Sequence, residues 1–306
     1  MKKLQHTGIV LLMAGWAACC FSSCKKDNDT TPSTNLQTLI SQDTSLTIFN
    51  AVLKRTQLTT FTTGPGPFTL FAPTNTAYAK QFGLRSAADV DTMNLTNLII
   101  QTSWLIAPGS FTSDVLVGLN VPITTQISAG TIYASAYSNV TYFNGNPSKT
   151  RDTRASNGVL HTLDYYLYPA PGTTSVTLGF YSGFKLWSQA ITKSKLTLTT
   201  SINRSTTTLL SPTDAAMKAA GYDSTAIANA TTTAMANLVK YHTIGTRYFL
   251  YSFSNTTYKT DLGSSLTINV TGTPTITGKS NSVHITGRDL TSTNGVIHAI
   301  DGVLTP

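Results

Sequence analysis

The sequence predicts an α+β protein built as two tandem copies of one domain. Three observations carry this. The composition favours strands: 55 Thr and 29 Ser stand beside 11% charged residues, and β-branched Thr packs better on a pleated sheet than inside a helix. Stretches of helical spacing, as at Leu46, Phe49, Val52 and Leu53, alternate with strand-like runs such as Leu266, Ile268 and Val270. Two blocks also repeat in the same order at offsets of 137 and 139 residues, which is a domain duplication and not a short-period solenoid. A chain of 306 residues divides into two domains, each large enough to bury its own core.

At the N-terminus, Lys2 and Lys3 precede an apolar run of 13 residues, Ile9 to Phe21. That falls short of the roughly 20 needed to cross a bilayer and fits the apolar core of an export signal. No later stretch approaches spanning length, so no transmembrane helix is expected beyond it. All three cysteines, Cys19, Cys20 and Cys24, lie here, so the exported domains have no disulfide framework and no thiolate metal site. Phe21-Ser22-Ser23-Cys24 resembles a bacterial lipobox, with small residues before the cysteine and polar Lys25-Lys26-Asp27 after it. The resemblance implies a signal peptide over 1–23, cleavage before Cys24 and lipid on its thiol. Ordinary cleavage after Ala18 is the competing reading, and lipid on Cys19 would leave apolar Phe21 in the tail. Lys25 at the second mature position argues against inner-membrane retention. An outer-membrane lipoprotein is therefore expected, facing the periplasm or the medium. Residues 24–35 form a tether, with Thr30 to Asn35 as a flexible linker.

Copy one spans 36–169, a linker 170–175, and copy two 176–306. In copy one, Asp43 or Ser45 can cap the helix that carries Leu46 to Leu53. Leu186, Ala190 and Ile191 mark its counterpart in copy two. Phe68 to Phe71 reads as a strand, entered through Gly64-Pro65-Gly66-Pro67, and Thr74 can cap the helix that follows through Tyr78. Asp223 or Ser224 opens one continuous helix with Ile227, Ala230, Ala234, Leu238 and Tyr241 on one face. The second half of each copy is strand-like, with Gly and Asn at the turns.

The repeated blocks are Thr69-Leu70-Phe71-Ala72-Pro73-Thr74-Asn75 with Thr208 to Asp214, and Asn157-Gly158-Val159-Leu160-His161-Thr162-Leu163-Asp164 with Asn294-Gly295-Val296-Ile297-His298-Ala299-Ile300-Asp301. Their residues and spacing resemble the two signature boxes of the fasciclin (FAS1) domain, in two copies that cover nearly all of the exported chain. The resemblance implies an α+β wedge, a β-sandwich of about seven strands packed on several helices. It also implies structural roles for Thr74, Asn157, Gly158, His161, Asp164, Thr213, Asn294, Gly295, His298 and Asp301. A third family feature, a Tyr-His pair after the central helix, is present as Tyr241-His242; in copy one the His position falls on Thr102 or Leu105. Partner binding attached to that pair carries over to Tyr241 and His242 alone.

Catalysis finds little support. Glu is absent, so all 13 acidic residues are Asp, which weakens paired-carboxylate glycosidase and Glu-assisted zinc chemistry. His161 with Asp164, and His298 with Asp301, invite a triad reading. Residues three apart in a strand, however, face opposite ways, so each His reads as a half-buried structural residue. Asp164 and Asp301 read as acceptors of turn or backbone hydrogen bonds. Asp89-x-Asp91 reads as a helix start and not a cation loop. An Asp-based hydrolase would need two carboxyls converging in one cleft with one pKa raised. No phosphate loop, nucleophile elbow or His-Glu-x-x-His occurs, and no cofactor or metal is expected.

Net charge is +8, and loss of the signal would leave about +6. The cations are scattered without interleaved aromatics, which argues against nucleic acid and leaves a modest pull towards acidic polysaccharide or an anionic surface. Asn94-Leu95-Thr96 and Asn269-Val270-Thr271 are chance sequons in a Thr-rich chain, and the lipobox points to bacteria. Two aromatic runs, Tyr165-Tyr166-x-Tyr168 and Tyr248-Phe249-x-Tyr251-x-Phe253, suit inter-domain packing or a sugar- or protein-binding platform. The expectation is a lipid-anchored, non-catalytic adhesion or interaction protein whose partner is a protein or glycan. A glycan-capturing accessory lipoprotein is the alternative.

Overall fold

A computed structural model describes residues 32–127, 130–196 and 206–305. Residues 32–306 form one compact unit. The expected signal peptide, the lipidation site Cys24 and most of the tether lie outside the described residues. No helix among those described is long and apolar enough to cross a membrane.

Domain 1 opens with α1 (Leu36–Gln42), a 3-10 turn over Thr44–Leu46, α2 (Thr47–Arg55) and α3 (Thr60–Thr63). The last tether residues are already tied down: Thr34 O accepts from Ser156 N, and Asn35 caps α1 through Thr38 N. Strand β1 (Phe68–Pro73) and α4 (Asn75–Phe82) follow, then α5 (Leu95–Trp104) and β2 (Ile106–Pro108). The remaining strands are β3 (Val121–Thr124), β4 (Thr131–Tyr137), β5 (Val140–Phe143), β6 (Asn146–Pro147), β7 (Thr150–Ala155) and β8 (Gly158–Leu163). They form two four-stranded sheets, β2-β1-β8-β7 and β3-β4-β5-β6.

Domain 2 repeats the order. It contains α6 (Thr174–Phe180), α7 (Lys185–Ser194), β9 (Thr207–Pro212), α8 (Asp214–Ala219), α9 (Ser224–Asn229), α10 (Thr232–Tyr241) and β10 (Thr243–Ile244). A 3-10 turn at Leu250–Ser252 leads to β11 (Thr256–Lys259), β12 (Ser265–Asn269), β13 (Thr275–Thr277), β14 (Ser282–Ser292) and β15 (Gly295–Ile300). Helix α6 takes the last two residues of the 170–175 linker segment. The single helix expected from Asp223 to Tyr241 is two. Ala230 is extended, and the Thr231 hydroxyl caps a new start at Ala234 N, because the Thr side chain satisfies N–H groups that a continuing helix would have paired internally.

In each domain the two signature boxes lie side by side as a parallel pair. Phe68↔Gly158 runs to Pro73↔Leu163, and Thr207↔Gly295 to Pro212↔Ile300. These strands are buried on both faces. In domain 2, Leu209, Ile297 and Ala299 pack against helices, while Leu210 and Ile300 pack against Leu266, Ile268 and Ile276 of the outer strands. The boxes therefore read as continuous apolar runs and not as alternating ones. Glycine opens the second box because the backbones nearly touch there: a Cβ on Gly158 would sit 1.9 Å from Phe68 O, and one on Gly295 2.4 Å from Thr207 O.

Candidate functional site: the domain junction

The motif residues build the frame. Thr74 and Thr213 cap α4 and α8 through Ala77 N and Ala216 N. Next to them, Asn75 Oδ1 and Asp214 Oδ1 accept from Ile48 N and Leu186 N, pinning α2 and α7 to the first box. Asn157 does more than turn the chain. Its amide donates to Thr62 O and Gly64 O, and its oxygen accepts Leu36 N. Asn294 Oδ1 accepts Thr174 N at the same place in domain 2. This stapling of the first helix to the last strand was not legible from the Asn-Gly pair, which only signalled a turn.

His161 and His298 are fully buried, not half-buried, because their strands are covered on both sides. Each donates from Nε2 at 2.8 Å, to Phe111 O and Tyr248 O respectively. Each accepts at Nδ1 from the N–H of Asp152 or Asp289. Burial pushes the His161 pKa down. Neither is free to act as a base. Asp301 accepts the backbone N–H and the imidazole of His284. Asp164 departs from the expected turn role: it accepts the Thr74 hydroxyl at 2.7 Å and meets Lys149 at 3.4 Å. Asp89 closes a capping box on Ser86, as a helix start should. Asp289 is the carboxyl pushed up, by burial. The groups that offset this are the His298 ring, the Leu250 N–H and Arg288, not a second carboxylate, so the two-Asp condition for a hydrolase is not met there.

Tyr241 and His242 cannot meet a partner in this state, which corrects the expectation from the Tyr-His resemblance. Both are fully buried. The Tyr241 hydroxyl accepts Lys279 N. His242 Nδ1 donates to Leu238 O and Nε2 accepts Leu304 N, and burial pushes its pKa down to about 4. Its domain 1 counterpart is Leu105: the backbone oxygens of both accept the matching strand N–H, Leu210 and Phe71.

The surface that both domains share is their junction. Tyr142 stacks on Tyr251 at 3.9 Å and 8°. The Arg247 guanidinium lies 3.5 Å over the Tyr133 ring and donates to Thr293 O. Asn120 donates to Arg247 O, and the Tyr133 hydroxyl to Thr293 O. The second aromatic run therefore serves domain packing through Tyr251, while Tyr248, Phe253 and Tyr258 pack on one another. Arg247, beside that run, was missed. In the first run, Tyr166 packs on Tyr78 and Phe82. A separate cavity of about 460 Å³ is lined from domain 1 by Gln81, Gln101 and Tyr168 and from domain 2 by Phe180 and Tyr181 among others. Phe180 is 72% exposed, and Leu95, Ile99 and Ile100 of α5 are also exposed. Aligning the two copies at the end of their first helices, Gln42-Asp43 against Phe180-Tyr181, would have found these aromatics. Among the described residues no cluster of three or more His, Cys, Asp or Glu stands ready for a metal.

Two α+β copies locked through such a clasp define a tandem-domain architecture. The fasciclin-domain profile matches residues 44–169 and 182–306, and the chain belongs to that family. Human (Homo sapiens) periostin is 30% identical over 139 residues, 44% of this chain and 16% of that protein, so the chain spans about a sixth of that relative's length. A solved FAS1 domain pair from the insect cell adhesion molecule fasciclin I is similar over 85% of this chain and 96% of that one, at 15% identity and a TM-score of 0.40. Fasciclin domains are known in cell-adhesion proteins and occur in secreted or surface proteins, which supports an adhesion or interaction role.

Proposed function

We propose that the chain is a non-catalytic adhesion module of the bacterial cell envelope, held at the outer membrane by lipid on Cys24. It contacts a protein or glycan partner through its fasciclin domains. The observation that supports this best is the fusion of two fasciclin domains into one unit that leaves Leu95, Ile99 and Ile100 of α5 and Phe180 of α6 exposed. Such apolar side chains on a folded unit suit contact with another surface. The lipobox resemblance at Phe21 to Cys24 supports the anchor.

The test expresses the full chain and its Cys24→Ser variant in a Gram-negative host. The wild-type chain should sediment with outer membranes and raise attachment of the cells to envelope-coated surfaces. The variant should be released and lose that attachment. Equal attachment with and without the chain would overturn the adhesion reading. Membrane retention of the Cys24→Ser variant would overturn the anchor.

A further inference from the structure

The two domains are copies, so positions where they differ without need mark what one copy was asked to do beyond folding. Helix α5 and its counterpart α10 are both ten residues long and end at Trp104 and Tyr241, so Ile100 matches Asn237 and Gln101 matches Leu238. Helices α1 and α6 are both seven residues long, so Phe180 and Tyr181 match Gln42 and Asp43. These four departures, Ile100, Gln101, Phe180 and Tyr181, line a single cavity at the junction. Folding does not call for them. Domain 1 closes the same helix with a polar pair, and its Asp43 even caps the next turn through Ser45 N, a bond Tyr181 cannot make. Gln101 Oε1 is buried without a hydrogen-bond partner where domain 2 places a core leucine.

We infer that the junction cavity is a binding site for a neutral saccharide, formed only because the domains stand in tandem. This deepens the adhesion reading and rests on it, by naming the class of partner. Phe180 and Tyr181 form an edge-to-face pair with ring centroids 5.7 Å apart, and exposed aromatic faces stack on the C–H faces of pyranose rings. Gln81 and the Tyr168 ring share the cavity wall with Gln101 and Asn97. Amides carry both donor and acceptor atoms, as paired sugar hydroxyls require. None of the lining residues is charged, which favours a neutral sugar over a uronate. At about 460 Å³ the cavity falls within the range of small-molecule sites.

The experiment uses residues 25–306, which include the whole folded unit, on an array of neutral and uronate-containing oligosaccharides, followed by calorimetric titration of the best neutral binder. The double variant Phe180→Gln, Tyr181→Asp installs domain 1's own pair at an exposed helix end, so its unfolding temperature should stay put. Asn237→Ala, on the matching helix away from the cavity, is the control. Expected is saturable neutral-saccharide binding that the double variant weakens at least about tenfold and the control leaves alone. No neutral binding at millimolar sugar, binding the double variant does not change, or capture of only uronates or only protein would overturn the proposal. The full-length double variant should also be scored for cell attachment. Attachment without saccharide binding removes the sugar site alone, whereas saccharide binding without attachment removes the adhesion reading.

Discussion

Domain 1 divides its strands between two sheets, whereas domain 2 joins seven into one hydrogen-bonded series. The switch lies where Pro147 stands in domain 1 and His284 in domain 2. In domain 2 the His284 N–H reaches Asp301, the Asp301 N–H returns to His284 O, and β14 continues for 11 residues. Proline has no N–H to offer. Strand β6 therefore stops at two residues, and Asp164, released from that bond, turns to Thr74 and Lys149. The parallel pair of signature boxes is the same in both domains, down to the two histidine hydrogen bonds. The lesson is that the frame tolerates either sheet arrangement, because its own bonds do not depend on the outer strands.

Breaking that shared frame should have the largest effect. Gly158→Ala would drive a Cβ into Phe68 O and should cost more than about 3 kcal/mol, with Gly295→Ala less because its gap is wider. Thermal unfolding of both variants checks the order; equal losses would show that the backbone relaxes. Next comes acid. His242 is fully buried and its pKa is depressed to about 4 from an ordinary 6.5, so the unfolded chain binds the extra proton between those values. Its contribution to stability is present above pH 6.5 and should fall by about 3 kcal/mol as pH drops to 4. His242→Leu, which copies domain 1's Leu105, should flatten that part of the pH profile. The same variant should lower stability at neutral pH by about 1–3 kcal/mol, because Leu304 N–H loses its acceptor.

Loosening the clasp should sharpen the contrast between the domains. Tyr251→Ala with Arg247→Ala removes a ring stack and a cation–π contact, about 2 kcal/mol together. One calorimetric transition should become two. Smaller still is Asp289→Asn. Gly145 of domain 1 packs on this side chain, and Oδ2 has no partner. Burial raises its pKa, so its stability contribution is lost as pH climbs through the raised value. The amide should gain about 1 kcal/mol at neutral pH, whereas Asp152→Asn should not, because Asp152 accepts both the N–H and the hydroxyl of Ser113. The smallest change is Asp301→Asn. Burial alone would raise the Asp301 carboxyl, but the His284 N–H and imidazole hold it below its ordinary range. The pair is about half exposed, so losing it should cost under about 1 kcal/mol in urea titration.

Much of this architecture was legible because its signals are local. Thr74, Thr213 and Asp223 sit where a hydroxyl or carboxylate must cap a helix, and a repeated box announces a repeated domain. The break at Ala230 was not legible, because Asp223 and Thr231 both cap well and only packing chooses between one helix and two. The Asn157 staple was hidden for a different reason: its partners lie more than 90 residues away.

By itself, then, the order of residues determined the duplication, the fold class and the caps, since each depends on a neighbour in sequence or on a repeat. Tertiary structure alone decided that Tyr241 and His242 face the core, that Asp164 and Asp301 take different partners, and that Phe180 and Tyr181 line a cavity together with Gln101 of the other domain. Those outcomes depend on which surface covers which, and burial of a side chain is set by elements far away in the chain.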